Sequence, residues 1–126
     1  MIARLARSNL AHMLGAFLVM GGWALFANHA HGFAAALPAA ILQGLLSAGI
    51  TLTLKTVIER LAPRFAGVAA LFAPPLIAAG LSAVLLTTLH HLAGTPEILA
   101  TVALPLTVAT SYAAIYNYSL FAMRRR

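Results

Sequence analysis

Cysteine is absent and acidic residues nearly so: Glu59 and Glu97 are the whole complement in 126 residues. Without cysteine there are no disulfides and no thiol chemistry. Two glutamates far apart in sequence give no acidic metal motif. There is no Ser-His-Asp set and no glycine-rich phosphate loop either. No enzymatic activity and no cofactor are expected. Charge of either sign is also scarce, at 8% of residues against about 25% in soluble domains. What fills the gap is apolar: 62% of the chain is hydrophobic, with a mean hydropathy of +0.94. Such a chain lacks the polar surface of a water-soluble catalytic domain.

At about 20 residues per transmembrane helix, the length holds four spans, short connections and little else. The eight basic residues fall in three groups: Arg4 and Arg7; Lys55, Arg60 and Arg64; Arg124, Arg125 and Arg126. Two stretches between them, 8–54 and 65–123, carry no charge except Glu97, and each is long enough for two spans and a hairpin. The positive-inside rule places all three groups on the cytoplasmic side. The sequence therefore predicts an all-α polytopic membrane protein of the inner (plasma) membrane. It forms one domain, 1–126, with spans at about 10–28, 34–56, 66–90 and 96–122 and both termini cytoplasmic. An odd number of spans would strand one basic group on the wrong side.

A pI near 11.3 would suggest nucleic acid in a soluble protein. Here the cations sit at helix ends with no interleaved aromatics, which excludes that partner and points to anionic headgroups instead. Residues 1–30 share features with a signal peptide, but the apolar run 10–27 is long and "FANHAHG" is a poor cleavage site. The first span is read as uncleaved.

Each span has a distinctive face. In the first, Ala11, Gly15, Leu18, Gly22 and His29 share a side, and the two glycines are expected to admit another helix closely. Trp23 lies near the outer end as an interface anchor. In the second, Ala36, Ala40, Gln43, Ser47 and Thr51 form a stripe running toward Lys55, which pairs at i,i+4 with Glu59. A Gln amide facing hydrocarbon is costly, so this stripe faces inward; it serves either interhelical hydrogen bonding or substrate contact. The third contains Pro74-Pro75, which removes two backbone donors and gives either a structural kink or a functional hinge. Its small residues Ala79, Gly80, Ala83 and Thr87 lead to His90. In the fourth, Thr107, Thr110, Ser111, Asn117 and Tyr118 gather on one side, with Asn117 in the last apolar turn before Arg124. Tyr116 and Tyr118 fit an aromatic belt.

Four histidines, His29, His31, His90 and His91, map to the outer ends of the helices, where Asn28 or Glu97 could support them. Imidazoles suit several metals and haem, but no pair has i,i+4 spacing on a helix, so the cluster is a candidate without a metal assignment. "GTPE" reads as a helix start, with Thr95 as N-cap, Pro96 at the first helical position and Glu97 complementing the dipole. Small multidrug-resistance pumps are also four-helix proteins of this length but depend on a glutamate in their first helix, which this chain lacks.

The two halves share a pattern: a span, a His-containing outer loop, a span with a mildly polar stripe, and a basic end. Together with "NYSLFAMRRR" (Asn117, Tyr118, then Arg124–Arg126), this architecture resembles the GtrA-like family of small membrane proteins. In that family, helices 2 and 4 tend to end in an Asn-aromatic pair followed by basic residues. The end of helix 2, "TLTLKTVIERLAPRF", lacks the pair, and neither half has the family's Trp-Val-Phe close. The resemblance implies a role with polyprenyl-phosphate-linked sugars: translocating them, or assisting a membrane glycosyltransferase. The candidate substrate-binding residues are Gln43, Ser47, Thr51, Lys55, Thr107, Ser111, Asn117 and Arg124. The alternatives are a structural or accessory subunit of a larger membrane complex and a small-solute transporter using the proline break; membrane lipids and a second copy of the chain (a homo-oligomer) are further candidate partners.

Overall fold

The computed structural model describes residues 1–126, apart from the side chains of residues 5 and 6. Four long helices make up the chain: α1 (Ile2–Ala27), α2 (Phe33–Leu61), α3 (Val68–Ala93) and α4 (Ile98–Arg124). Single 3-10 turns, His29–His31 and Ala62–Arg64, follow α1 and α2. No strand occurs among the described residues. Each helix is long and apolar enough to cross a membrane. The shortest, at 26 residues, is about 39 Å long at 1.5 Å per residue, more than the roughly 30 Å of a hydrocarbon core.

Helices α1 and α2 extend past the expected spans at the basic end, taking in Arg4, Arg7 and Arg60. The helices alternate in direction, so the start of α1, the end of α2, the start of α3 and the end of α4 lie together. All three basic groups therefore share one end. Pro63 has no N–H to continue the α-helical ladder, and α2 passes at Ala62, still helical in its dihedrals, into the 3-10 turn Ala62–Arg64. Gly94 ends α3 in a left-handed conformation (φ 75°). There the Thr95 N–H donates to His90 O and the Gly94 N–H to His91 O, which satisfies two terminal carbonyls in a Schellman arrangement.

Packing is most extensive within the two hairpins, α1 with α2 and α3 with α4. Helix α2 also touches both α3 and α4, whereas α1 and α3 do not meet. Small residues bring these helices close: Ala24, Ala36, Ala39, Ala78 and Ala113 are all buried. Leu54, Ile58, Ala78 and Ala113 form an apolar core, against which Ile50, Val57, Tyr116 and Leu120 pack. The polarity is the reverse of a water-soluble fold. Large apolar side chains such as Leu18, Leu81 and Ile115 cover the outside, while Asn28, Gln43, His90, Thr101 and Asn117 are almost wholly buried.

The close α1–α2 approach does not use the expected glycines. Gly15 and Gly22 face open space, and a side chain at either would meet nothing within 4 Å. The contact is made by the neighbouring register: a Cβ on Gly21 would lie 3.0 Å from Ala40 O, and Gly44 lies under the Phe17 ring. The buried face of α1 passes through Gly21, Ala24 and Asn28, one step round the helix from the stripe expected.

Gly21→Val should therefore weaken the α1–α2 contact by roughly 1–3 kcal/mol, the usual cost of overpacking, because a backbone oxygen cannot yield. Gly22→Val should stay within about 0.5 kcal/mol of the native protein, as surface changes do. Detergent-denaturation curves read by Trp23 fluorescence check both, the chain having one tryptophan.

Candidate functional site

Helix α3 contains a break that another helix repairs. Pro74 and Pro75 lack the N–H groups that would bond the carbonyls four residues earlier, those of Ala70 and Leu71. The Asn117 side-chain amide, on α4, donates to both: Nδ2 is 2.9 Å from Ala70 O and 2.9 Å from Leu71 O. Asn117 is 1% exposed. Its two N–H groups replace the two that proline removes. Its Oδ1 is the only buried side-chain polar atom without a partner among the described residues.

Toward the opposite end, α2 and α3 are joined by a chain of hydrogen bonds. Gln43 Nε2 donates to Ser47 Oγ (2.8 Å), which leaves Oε1 to accept from His90 Nε2 (2.8 Å). A carbonyl oxygen only accepts, so the His90 proton sits on Nε2. Nδ1 then accepts from the Thr95 hydroxyl (2.7 Å). Side chains lean toward the N-terminus of their own helix. Gln43 thus leans outward from α2 and His90 inward from α3, and they meet although their positions differ in depth.

A second network ties α1 to α4. Asn28 Nδ2 donates to Ala24 O (2.8 Å) and to Thr101 Oγ1 (2.7 Å), while its Oδ1 accepts from the Glu97 backbone N–H (2.9 Å). Thr101 Oγ1 in turn donates to Glu97 O, and Trp23 Nε1 donates to Ala100 O at 2.8 Å. The helix start expected at "GTPE" is built differently from its sequence signature. Glu97 itself is the N-cap residue and no local side chain caps it. Thr95 is taken by His90, and Asn28 from another helix receives the Glu97 N–H.

The four outer histidines do not converge. His90 points into the bundle, while His29, His31 and His91 are exposed; His29 Nδ1 lies against Phe26 O and His31 Nε2 is 2.9 Å from Glu97 Oε1. No group of three or more candidate metal ligands forms among the described residues. The exposed His31–Glu97 pair contributes little, about 0–1 kcal/mol.

The candidate substrate stripe divides in two. Gln43, Ser47 and Asn117 are buried and hydrogen-bonded within the bundle, whereas Thr51, Thr107 and Ser111 face outward. Thr107 satisfies its hydroxyl on Ala103 O in its own helix. The reason is helical geometry. Eight residues at about 100° each carry Thr51 roughly 80° away from the direction of Gln43, and Leu54 and Ile58 continue the buried face instead. Lys55 is exposed and 3.8 Å from Glu59, whose carboxylate also accepts from the Tyr116 hydroxyl. That Tyr–Glu contact between α4 and α2 has no signature in either segment alone.

Two recesses border these elements. A small apolar crevice of about 180 Å³ lies between α2 and α3, lined by Ile50, Leu54, Ala78 and Leu85 among others. A larger one, about 520 Å³, lies at the basic end, between the start of α3 and the end of α4; Phe65, Val68, Leu71, Phe121, Arg124 and Arg125 line it. The Arg125 guanidinium stacks over the Phe121 ring at 5.1 Å. Of the candidate residues, only Arg124 borders this cavity. Asn117 stands behind it, holding the carbonyls of Ala70 and Leu71, which are wall residues.

Asn117→Ala should destabilise the protein by about 1–3 kcal/mol, the cost of leaving buried polar groups unpaired, with Thr107→Val near zero as the exposed control. In a Pro74→Ala/Pro75→Ala background the backbone can close its own bonds, so the Asn117→Ala effect should fall to less than about half. A double-mutant cycle on denaturation midpoints measures this coupling. Additive effects would mean that Asn117 does not serve the proline break.

No family model, curated protein or solved structure matches this chain, so its function is argued from its own residues.

Proposed function

We propose that the protein is a non-catalytic inner-membrane protein, its termini cytoplasmic, that handles or translocates a lipid bearing a phosphate. A polyprenyl-phosphate-linked sugar is the class implied by its GtrA-like architecture. The observation that carries this reading is where polar capacity remains. In the bundle interior Asn28, Gln43, Ser47, His90, Thr101 and Asn117 are hydrogen-bonded to one another or to backbone, with Asn117 Oδ1 left over and Ser82 at the crevice between α2 and α3. At the basic end, Arg124 and Arg125 border the larger cavity with no acidic partner among the described residues. A chain that binds anionic headgroups needs such cations at the membrane boundary. The tightly paired interior argues against a solute path through the bundle.

Reconstitution tests the reading. Proteoliposomes holding a trace of fluorescent polyprenyl-phosphate-linked sugar should show faster transbilayer exchange than protein-free vesicles, measured by quenching of outer-leaflet label. Purified protein should also retain the lipid. Exchange and retention both equal to background would remove this function.

A second reading, an accessory subunit of a larger membrane complex, is favoured by Gly15 and Gly22, which present an exposed small-residue face with nothing packed on it. Because the chain has no cysteine, Gly15→Cys or Gly22→Cys gives a single thiol for crosslinking in native membranes. One discrete adduct at these positions, and none from Leu81→Cys on the outer face of α3, is the expected result. Identical patterns from all three would remove this alternative.

A further inference from the structure

We propose that the cavity between the start of α3 and the end of α4 is a binding site for the phosphate of an anionic lipid headgroup. The inference rests on the basic end being the lipid-handling face, and it names the ligand that end takes. The cavity, about 520 Å³, lies within the roughly 300–1,000 Å³ range of small-molecule sites. Its rim holds two guanidinium groups, the side chain best matched to phosphate oxygens. Neither has a carboxylate partner among the described residues, because Glu59 is taken by Lys55 and Tyr116 and Glu97 lies at the opposite end. Arg125 is held at the rim by its stack on Phe121.

The start of α3 adds to this charge. Helix α3 begins there with no side-chain cap and no acidic residue in its first turn. Gly67, Val68, Ala70 and Leu71 line the cavity, so the positive dipole end of α3 also favours an anion there. The walls are apolar: Phe65, Val68, Leu71 and Phe121, with Val68 74% exposed. They suit the chain-proximal part of a lipid rather than a free ion. Asn117 is a positioning residue, since its bonds to the Ala70 and Leu71 carbonyls fix the wall formed by α3. A site of this make-up, a basic pocket between transmembrane helices at the cytoplasmic boundary, is what lipid headgroup recognition requires.

Native mass spectrometry of the detergent-purified full chain tests the site, after equilibration with phosphatidylglycerol, phosphatidylcholine or inorganic phosphate. Phosphatidylglycerol should be retained at one per chain, in preference to phosphatidylcholine. Arg124→Gln/Arg125→Gln should weaken retention by about tenfold or more, as loss of charge-assisted bonds implies. Arg4→Gln/Arg7→Gln, which removes equal charge from the same end, should leave retention near native. Trp23 fluorescence confirms that each variant keeps the α1–α4 contact. Equal loss in both double variants would overturn the site in favour of diffuse surface attraction. Displacement by millimolar inorganic phosphate, with no lipid retained, would overturn the lipid as its occupant. Transbilayer exchange that survives Arg124→Gln/Arg125→Gln would sink this site and leave the proposed function standing. Specific phosphatidylglycerol retention, with exchange and retention of the polyprenyl-phosphate-linked sugar both at background, would do the reverse.

Discussion

Two adjacent prolines in the third helix leave two carbonyls without donors, and everything at the basic end depends on how that deficit is met. The Asn117 amide carries two N–H groups on one nitrogen, and the Ala70 and Leu71 carbonyls are consecutive on the helix. One side chain can therefore repair both. Water would do this in a soluble protein, but a helix as apolar as α3 gives water little access. The repair fixes α4 against α3 in depth and rotation, since an amide must lie within bonding distance of both oxygens at once. The wall of the basic-end cavity and the position of Arg124, seven residues beyond Asn117, follow from that constraint.

The same logic, polar groups paired across helices, recurs at the other end with different residues. Asn28 joins the end of α1 to the start of α4, and His90 joins α3 to α2 through Gln43. Individually such bonds are modest in membranes, averaging about 0.6 kcal/mol. Their value lies in direction: each is short, oriented and buried, so they select one register among the many that sliding apolar helices would allow. The apolar core of Leu54, Ile58, Ala78 and Ala113 supplies contact but little directional preference. The polar residues are thus used in assembly, which is why so few are left to face a substrate.

The broad architecture could be read from the chain. Charge placement and hydropathy gave four helices in two hairpins, and the three basic groups do share an end. The inward turn of Gln43 and Ser47 also followed from the cost of exposing an amide. What was not legible depended on two segments at once. Thr95 has every local mark of a helix cap, yet His90 claims its hydroxyl and Asn28 takes over at α4. The glycine face of α1 was misplaced because Gly21 and Gly22 are adjacent, and only the partner's Ala40 and Phe17 decide which one is covered. Thr51 joined the Gln43 stripe by four-residue steps that drift from the 3.6-residue turn. The Asn117–proline pairing was open to inference: Pro74 lies six residues after the start of α3 and Asn117 seven before the end of α4, similar depths in an antiparallel pair.

The distribution of charge links orientation to binding. In membrane proteins generally, excess arginine at one end favours keeping that end in the cytoplasm, and it needs no acidic counterpart to do so. A chain with only two glutamates, one engaged by Lys55 and Tyr116 and the other at the far end, leaves its C-terminal arginines without internal partners. Arginines at such an end are thereby left able to meet an external anion, provided something shapes a recess beside them. Here the recess lies between the uncapped start of α3 and the end of α4, and Asn117 ties the two helices together beside it. Sequence scarcity and the proline pair therefore act together: the first leaves cations unpaired, and the second leaves the Ala70 and Leu71 carbonyls for Asn117, which joins the two helices that border the cavity.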